Sequence, residues 1–234
     1  MNLSIIIPTY NEEDNIKKTV SFLRQHKGNS PIEIIVSDGG STDQTMQQAE
    51  TAGAQAVLSP GKGRAAQMNY AASLAKGDIL YFVHADCFPP PTYVSDLQNA
   101  IGEGYDIGRY QTKFDSNELI LKLNAWFTRF DLFVCMGGDQ TLFIKRSLFE
   151  KCKGFKDDMK IMEEYEFCER ARKIGRYKIL KGRVLISARK YETNSWWRVQ
   201  LANSKVVRMY KRGASQQDMV QAYKQMLNYR KSSF

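Results

Sequence analysis

The stretch Ile79-Leu80-Tyr81-Phe82-Val83-His84-Ala85-Asp86-Cys87-Phe88-Pro89-Pro90 decides how the rest of the chain is read. Its five leading apolar residues suit a strand buried on both faces, and Gly77-Asp78 marks where that strand begins. The run closes in His84-Ala85-Asp86, and the prolines beyond cannot donate to a sheet ladder. An imidazole and a carboxylate are therefore expected at the carboxyl end of a central strand, the edge where open α/β sheets bind ligands. On an extended segment side chains at i and i+2 point the same way, so His84 and Asp86 are expected to face one cation or one diphosphate. A solvated Asp beside a hydrogen-bonded His is the plainer reading of the same residues.

Upstream, apolar β-branched runs at 3–7, 32–36 and 54–58 read as strands, the first closed by Pro8. Helices are expected between them: one capped by Asn11, with Asp14 reaching back, to about residue 26; one starting at Ser41 or Thr42 with Asp43 in its first turn; and an Ala-rich one over 64–75. Strand and helix alternating at such short intervals predict a mostly parallel α/β sheet.

Downstream the pattern changes. A helix is expected to about Gly102, a strand over 106–114, and a helix over 118–130 whose apolar residues recur at 119, 120, 123, 126, 127 and 130, an amphipathic spacing. A strand over 141–144 precedes a short helix capped by Ser147. The acidic patch Met162-Glu163-Glu164-Tyr165-Glu166 opens a helix that runs to Ile174 and stops at Gly175. Strand pieces at 178–180 and 184–187 lead to two closing helices, about 195–211 and 216–229.

A chain of 234 residues, 43% apolar and 25% charged, can bury the core of one large globular domain. No apolar run reaches the ~20 residues that span a bilayer, and no leader is visible, so a cytoplasmic protein is expected. The four cysteines lack C-x-x-C spacing, which points to free thiols and away from structural zinc. The net charge of +9 is uneven: between Arg172 and Arg212 thirteen Lys or Arg accompany one acid, Glu192. Such a stripe fits a polyanionic ligand or an anionic membrane surface. No nucleic-acid-binding signature accompanies it, so no nucleic acid is expected as partner. In the helix at 195–211, Val199, Ala202, Val206 and Met209 form an apolar stripe, with Arg198, Lys205 and Arg212 on another. The apolar stripe is expected to pack and the basic one to stay exposed, toward an anionic acceptor or a membrane.

Gly61-Lys62-Gly63-Arg64-Ala65-Ala66 matches G-x-G-x-x-A, and Asp86 lies twenty residues beyond Ala66. That would suit a dinucleotide fold and an NAD-dependent oxidoreductase. Against it, the match follows the third strand rather than the first, Pro60 spaces the strand from the glycines, and Lys62 and Arg64 bring full charges to a site built on backbone amides.

Several segments together resemble family 2 glycosyltransferases, which have the GT-A fold. They are Ile6-Ile7-Pro8-Thr9-Tyr10-Asn11-Glu12; Val36-Ser37-Asp38-Gly39-Gly40-Ser41-Thr42-Asp43; His84-Ala85-Asp86 in the place of D-x-D; 141–146 through Lys153-Gly154-Phe155; and Glu163-Glu164-Tyr165-Glu166-Phe167-Cys168-Glu169-Arg170, similar to E-D-x-x-L-x-x-R. The resemblance covers about residues 3–190. The 64–69 helix start, Gly138-Asp139-Gln140 and Ser187-Ala188-Arg189-Lys190 look closest to a small soluble subgroup labelled arsenosugar-biosynthesis glycosyltransferases.

The resemblance implies one GT-A domain: a nucleotide-binding half (1–115), an acceptor half (116–190) and C-terminal helices (191–234). It implies inverting, metal-dependent transfer from a nucleotide sugar, a UDP-sugar first, to an unidentified acceptor hydroxyl. Pro8, Thr9, Tyr10, Glu12, Asp38, Lys62, Arg64, Ala85 and Asp86 would bind the nucleotide, with Asp38 accepting from the base. Asp86, joined by His84, would hold Mg²⁺ or Mn²⁺; His84 departs from the family's first Asp, and imidazole suits softer metals. Gly138, Asp139 and Gln140 would face the acceptor. Glu164 stands where the family has its catalytic Asp, with Glu163 beside it contacting the acceptor or neighbouring backbone. A fold that binds nucleotide sugar with little turnover is the other outcome these departures allow.

Overall fold

The structure is a computed structural model, and it describes residues 1–132 and 140–228. Strand β1 (Leu3–Thr9) is buried along its whole length, as a run apolar on both faces requires. It lies at the centre of four parallel strands with β2 (Ile32–Asp38), β3 (Gln55–Leu58) and β4 (Ile79–Phe82). The complete sheet adds β5 (Cys87–Phe88), β6 (Ile107–Phe114), β7 (Leu142–Lys145) and β8 (Tyr177–Ile186), in the order β3-β2-β1-β4-β7-β6-β8-β5. Only β7 and β5 run against the rest, so the sheet is mixed but mostly parallel.

Alternation along β1 feeds two cores. Ile5 and Ile7 pack under α1 (Ile16–Gln25) and α4 (Tyr93–Gly102), while Ile6 packs under α3 (Arg64–Leu74), α6 (Arg146–Lys151) and α7 (Glu163–Ala171). Helix α2 (Thr45–Thr51) joins β2 to β3, and α5 (Leu119–Phe127) follows β6. After β8 come α8 (Arg189–Thr193), α9 (Trp196–Lys211) and α10 (Gln216–Met226). The last two form a third apolar cluster with Met159, Ile161 and Met162, so they buttress the chain just before α7. Val199, Ala202 and Val206 of α9 face inward, and Arg198, Lys205 and Arg212 are exposed. Cys87, Cys152 and Cys168 are buried free thiols; Cys135 lies outside the described residues.

Several local expectations need correction. Asn11 does not cap α1, which starts at Ile16. It adopts φ +53° and binds the loop after β2 instead, its N–H donating to Ser41 Oγ at 2.8 Å and its Oδ1 accepting from Thr42 N at 2.9 Å. Helix α2 starts at Thr45, because the Asp43 carboxylate receives the Thr45 N–H and hydroxyl ahead of it. Ser147 caps nothing; α6 begins at Arg146. The two strand pieces at 178–187 are one strand with a bulge against β6, where a side chain on Gly182 would strike the Tyr110 ring at 2.8 Å. Helix α8 was not anticipated. The apolar stripe of α5 faces outward: Leu119, Leu123, Trp126 and Phe127 are exposed, and Leu121 is the buried residue.

Candidate active site

The carboxyl ends of β1, β2 and β4 meet at one edge of the sheet. At the first two, Asp38 is fully buried. Its Oδ1 accepts from Gly40 N at 2.8 Å and Ser41 N at 2.7 Å, and its Oδ2 from Ser41 Oγ at 2.5 Å and Thr9 Oγ1 at 3.2 Å. These bonds fold the loop after β2 back against β1. The carboxylate is turned inward and occupied, which does not suit the expected contact with a base. Gln67 of α3, 3% exposed, seals the same corner: its Nε2 donates to Thr9 O at 2.6 Å and Ser37 O at 2.9 Å. Pro8 and Thr9 are buried beneath this floor, whereas Tyr10 is 36% exposed at its rim.

Beyond β4 the chain does not stay extended. The strand ends at Phe82, and residues 84–87 form a turn closed by Cys87 N donating to His84 O at 3.1 Å. Cys87 and Phe88 then pair with Ile186 and Leu185 of β8 before the prolines stop it. His84 and Asp86 therefore do not share a direction, which corrects the i, i+2 expectation. His84 Nε2 stands 3.3 Å from Glu164 Oε1, while Asp86 Oδ2 stands 3.1 Å from Arg189 Nη2. Ala85 is buried between them, its carbonyl accepting from Thr19 Oγ1 of α1.

Across from this turn, α7 presents its first residues. Met162 ahead of them is held at φ +67°, a strained conformation for a non-glycine residue that sets the direction in which the helix starts. Glu163 and Glu164 then diverge by ~100°. Glu163, 2% exposed, turns to α3, where Arg64 Nε lies 2.8 Å from its Oε1. That ion pair is Coulombic without hydrogen-bond alignment: among the described residues neither buried oxygen of Glu163 accepts a hydrogen bond. Glu164, 8% exposed, turns to His84. Burial pushes the Glu164 carboxyl above its usual range, and the His84 contact offsets only part of that rise. Glu166, two residues on, is instead locked by Arg170 and Lys156.

Arg189 links the opposite wall. Its guanidinium reaches Glu12 at 2.6 and 3.1 Å as well as Asp86. Arg189 and Gln67 were missing from the expected site set. The signal for both lay inside motifs already quoted, Ser187-Ala188-Arg189-Lys190 and the start of α3. The structure thus gathers Glu12, Asp86, His84, Glu163, Glu164 and Arg64 around one edge. Lys62 is exposed on its loop, Gln140 is buried at 6% exposure, and Gly138 and Asp139 lie outside the described residues.

Among the described residues no three His, Cys, Asp or Glu side chains are arranged to enclose a metal. Asp86, with its carboxylate 22% exposed and already drawing a cation, fits an ion that takes one protein carboxylate and completes its shell with diphosphate oxygens and water. His84 Nε2 is directed at Glu164.

This sheet order, with one reversed strand between two parallel sets, is the α/β architecture of GT-A glycosyltransferases. Structure comparison aligns 97% of the chain with 71% of S. aureus TarS 1–349 in complex with UDP-GlcNAc, at TM-score 0.65 and 19% identity. It aligns 96% with 69% of the mannosyltransferase PcManGT from Pyrobaculum calidifontis in complex with GDP-Man and Mn²⁺, at 0.63 and 18%. The glycosyl transferase family 2 model matches residues 4–181, and the chain belongs to that family. That membership sets aside the oxidoreductase suggested by residues 61–66. The glucosyl-3-phosphoglycerate synthase of Mycolicibacterium smegmatis is 35% identical over 106 residues, 41% of this chain and 34% of that protein. The match therefore spans about a third of that relative's length.

Proposed function

We propose that the chain transfers a sugar from a nucleotide diphosphate donor, a UDP-sugar first, to an acceptor hydroxyl with inversion, and that Glu164 is the base. The observation that carries this reading is Glu164 itself: a nearly buried carboxylate whose affinity for a proton is raised, set beside His84 at the ligand-binding edge. A base with a raised pKa holds the proton it takes. The donor complexes of TarS and PcManGT support a nucleotide-sugar donor.

In this reading Pro8, Thr9 and Tyr10 line the nucleoside pocket, with the Tyr10 ring against the base, while Asp38 and Gln67 hold its floor in shape. Lys62 and Arg64 lie on the phosphate side. Asp86 would hold Mg²⁺ or Mn²⁺, which would supply positive charge against the departing diphosphate. Arg189 adds a second positive charge at the same place, released from Glu12 and Asp86 when donor enters. The acceptor oxygen attacks the anomeric carbon, its proton passes to Glu164, and the bond to the diphosphate breaks so that nucleoside diphosphate departs. His84 positions Glu164 rather than ligating the ion. Glu163 and Gln140, both buried, would back the side where the acceptor approaches, and the acceptor role expected of Gly138 and Asp139 falls on residues outside those described. The subgroup label leaves the acceptor open.

The test measures nucleoside diphosphate release from a panel of UDP- and GDP-sugars with Mn²⁺. Wild type is expected to bind and slowly release UDP, and Glu164→Gln to bind without release. Binding with no release from any donor, with acceptor mixtures present, would make the chain a nucleotide-sugar-binding protein.

A further inference from the structure

Helix α5 carries an apolar face that points away from the core. Leu119, Leu123, Trp126 and Phe127 are 81%, 52%, 44% and 44% exposed, and Phe130 and Leu132 just beyond are 38% and 55% exposed. At ~100° per residue the first four fall in an arc of roughly 100°. Leu121, the inward anchor at 1% exposure, lies opposite that arc. Amphipathic spacing usually marks the side turned to the core; here it marks the side turned to solvent. The rings of Trp126, Phe127 and Phe130 touch one another, with centroids 4.9 to 6.2 Å apart. Lys122 is exposed at the margin of the arc, and the Arg129 guanidinium lies 4.6 Å from the centre of the Trp126 ring.

The face is held in place rather than loosely docked. Arg109, 4% exposed in β6, donates to Thr128 O at 2.7 Å and Phe130 O at 3.2 Å, pinning the end of the helix. A contiguous apolar surface of this kind marks a contact with a partner or a membrane. The net charge of +9 repels a second copy and attracts an anionic surface, and Trp, Phe and Leu flanked by Lys and Arg is the composition that settles at a lipid headgroup boundary.

We propose that the outward face of α5 seats in the headgroup region of an anionic bilayer, with Lys122 and Arg129 at its margin adding attraction. No helix among the described residues is long and apolar enough to cross a membrane, so the contact made by α5 is peripheral. This assignment does not depend on the proposed chemistry.

The test is flotation of the full chain with vesicles of phosphatidylcholine alone and of an equal mixture with phosphatidylglycerol. Binding to the mixture, weakened by salt, is expected, and Leu123→Glu with Phe127→Glu should reduce it about tenfold or more. Circular dichroism checks that the variant folds. Should it not, quenching of tryptophan fluorescence by brominated lipid in the unmodified chain, diminished in Trp126→Phe, decides the matter. Flotation unaffected by the variant, no flotation at all, or absence of Trp126 quenching overturns the proposal. A dimer in sedimentation equilibrium that the double variant dissociates, without vesicle binding, would give the face to a second copy instead.

Discussion

Glu164 is a carboxylate whose surroundings resist its charge. Its folded pKa is raised above the ordinary 4.5, so the folded state binds the proton more tightly than the unfolded chain does. Stability is therefore lost as pH rises from 4.5 through the folded value, and stays lost above it. Glu164→Gln removes that cost along with the base. We expect transfer to fall by ~10²–10⁴-fold with nucleotide affinity retained. We also expect the variant to melt no lower than wild type at neutral pH, the difference vanishing below 4.5. Transfer near the wild-type rate, measured with a true acceptor, would remove Glu164 from the base's role. Asp86 is part-exposed and takes its charge partner from α8. Asp86→Asn should leave the fold intact and abolish the Mn²⁺-dependent part of donor binding, read by titration calorimetry with and without the ion.

The elements behind these residues explain why they hold still. Helix α7 begins with Glu163, Glu164 and Glu166 near its positive end; Glu163 meets Arg64, Glu164 meets His84, and Glu166 is held by paired hydrogen bonds. Arg170 meets it with two bonds of 2.8 Å and also donates to Cys152 O and to Gly154 O, clamping α7 to the loop after α6. Burial pushes the Glu166 carboxyl up, yet the hydrogen bonds from Arg170 and Lys156 outweigh it and hold the pKa below 4.5. The stability it supplies is present above 4.5 and lost as pH falls through the lower folded value. Glu166→Gln should cost about 2 kcal/mol at neutral pH, on the scale of a hydrogen bond to a charged group. Denaturant melts should show that cost fading on acidification. Sequence periodicity found α7, α9 and the buried strands because continuous apolar runs and 3.6-residue spacing are local properties. It could not say which way α5 faces, since spacing defines a stripe and not its direction. Nor could it see that Asn11 bonds across to Ser41 and Thr42, or that residues 84–87 turn: those choices are made by contacts far away in the chain.

At the scale of the whole molecule, residues 177 apart in sequence meet where Arg189 grips Glu12 and Asp86. This contact joins the segment after the last long strand to the first loop of the sheet. The guanidinium is 40% exposed, so in the absence of ligand it contributes little, under about 1 kcal/mol. Its larger consequence belongs to the bound state. In the proposed function a nucleoside diphosphate would bring negative charge to the edge that carries Arg189, Arg64 and Asp86, and only folded protein would bind it. UDP with Mn²⁺ at a hundred times its Kd should add about 2.7 kcal/mol. For a domain of this size that raises Tm by about 5–10 °C. Arg189→Gln should change the unliganded Tm little yet shrink the liganded rise, because the diphosphate loses a cation while Asp86 keeps its ion. Asp86→Asn should remove the Mn²⁺-dependent part of the rise and leave what UDP gives alone. A full rise in Arg189→Gln would mean that the guanidinium only bridges the two carboxylates and never moves to the diphosphate.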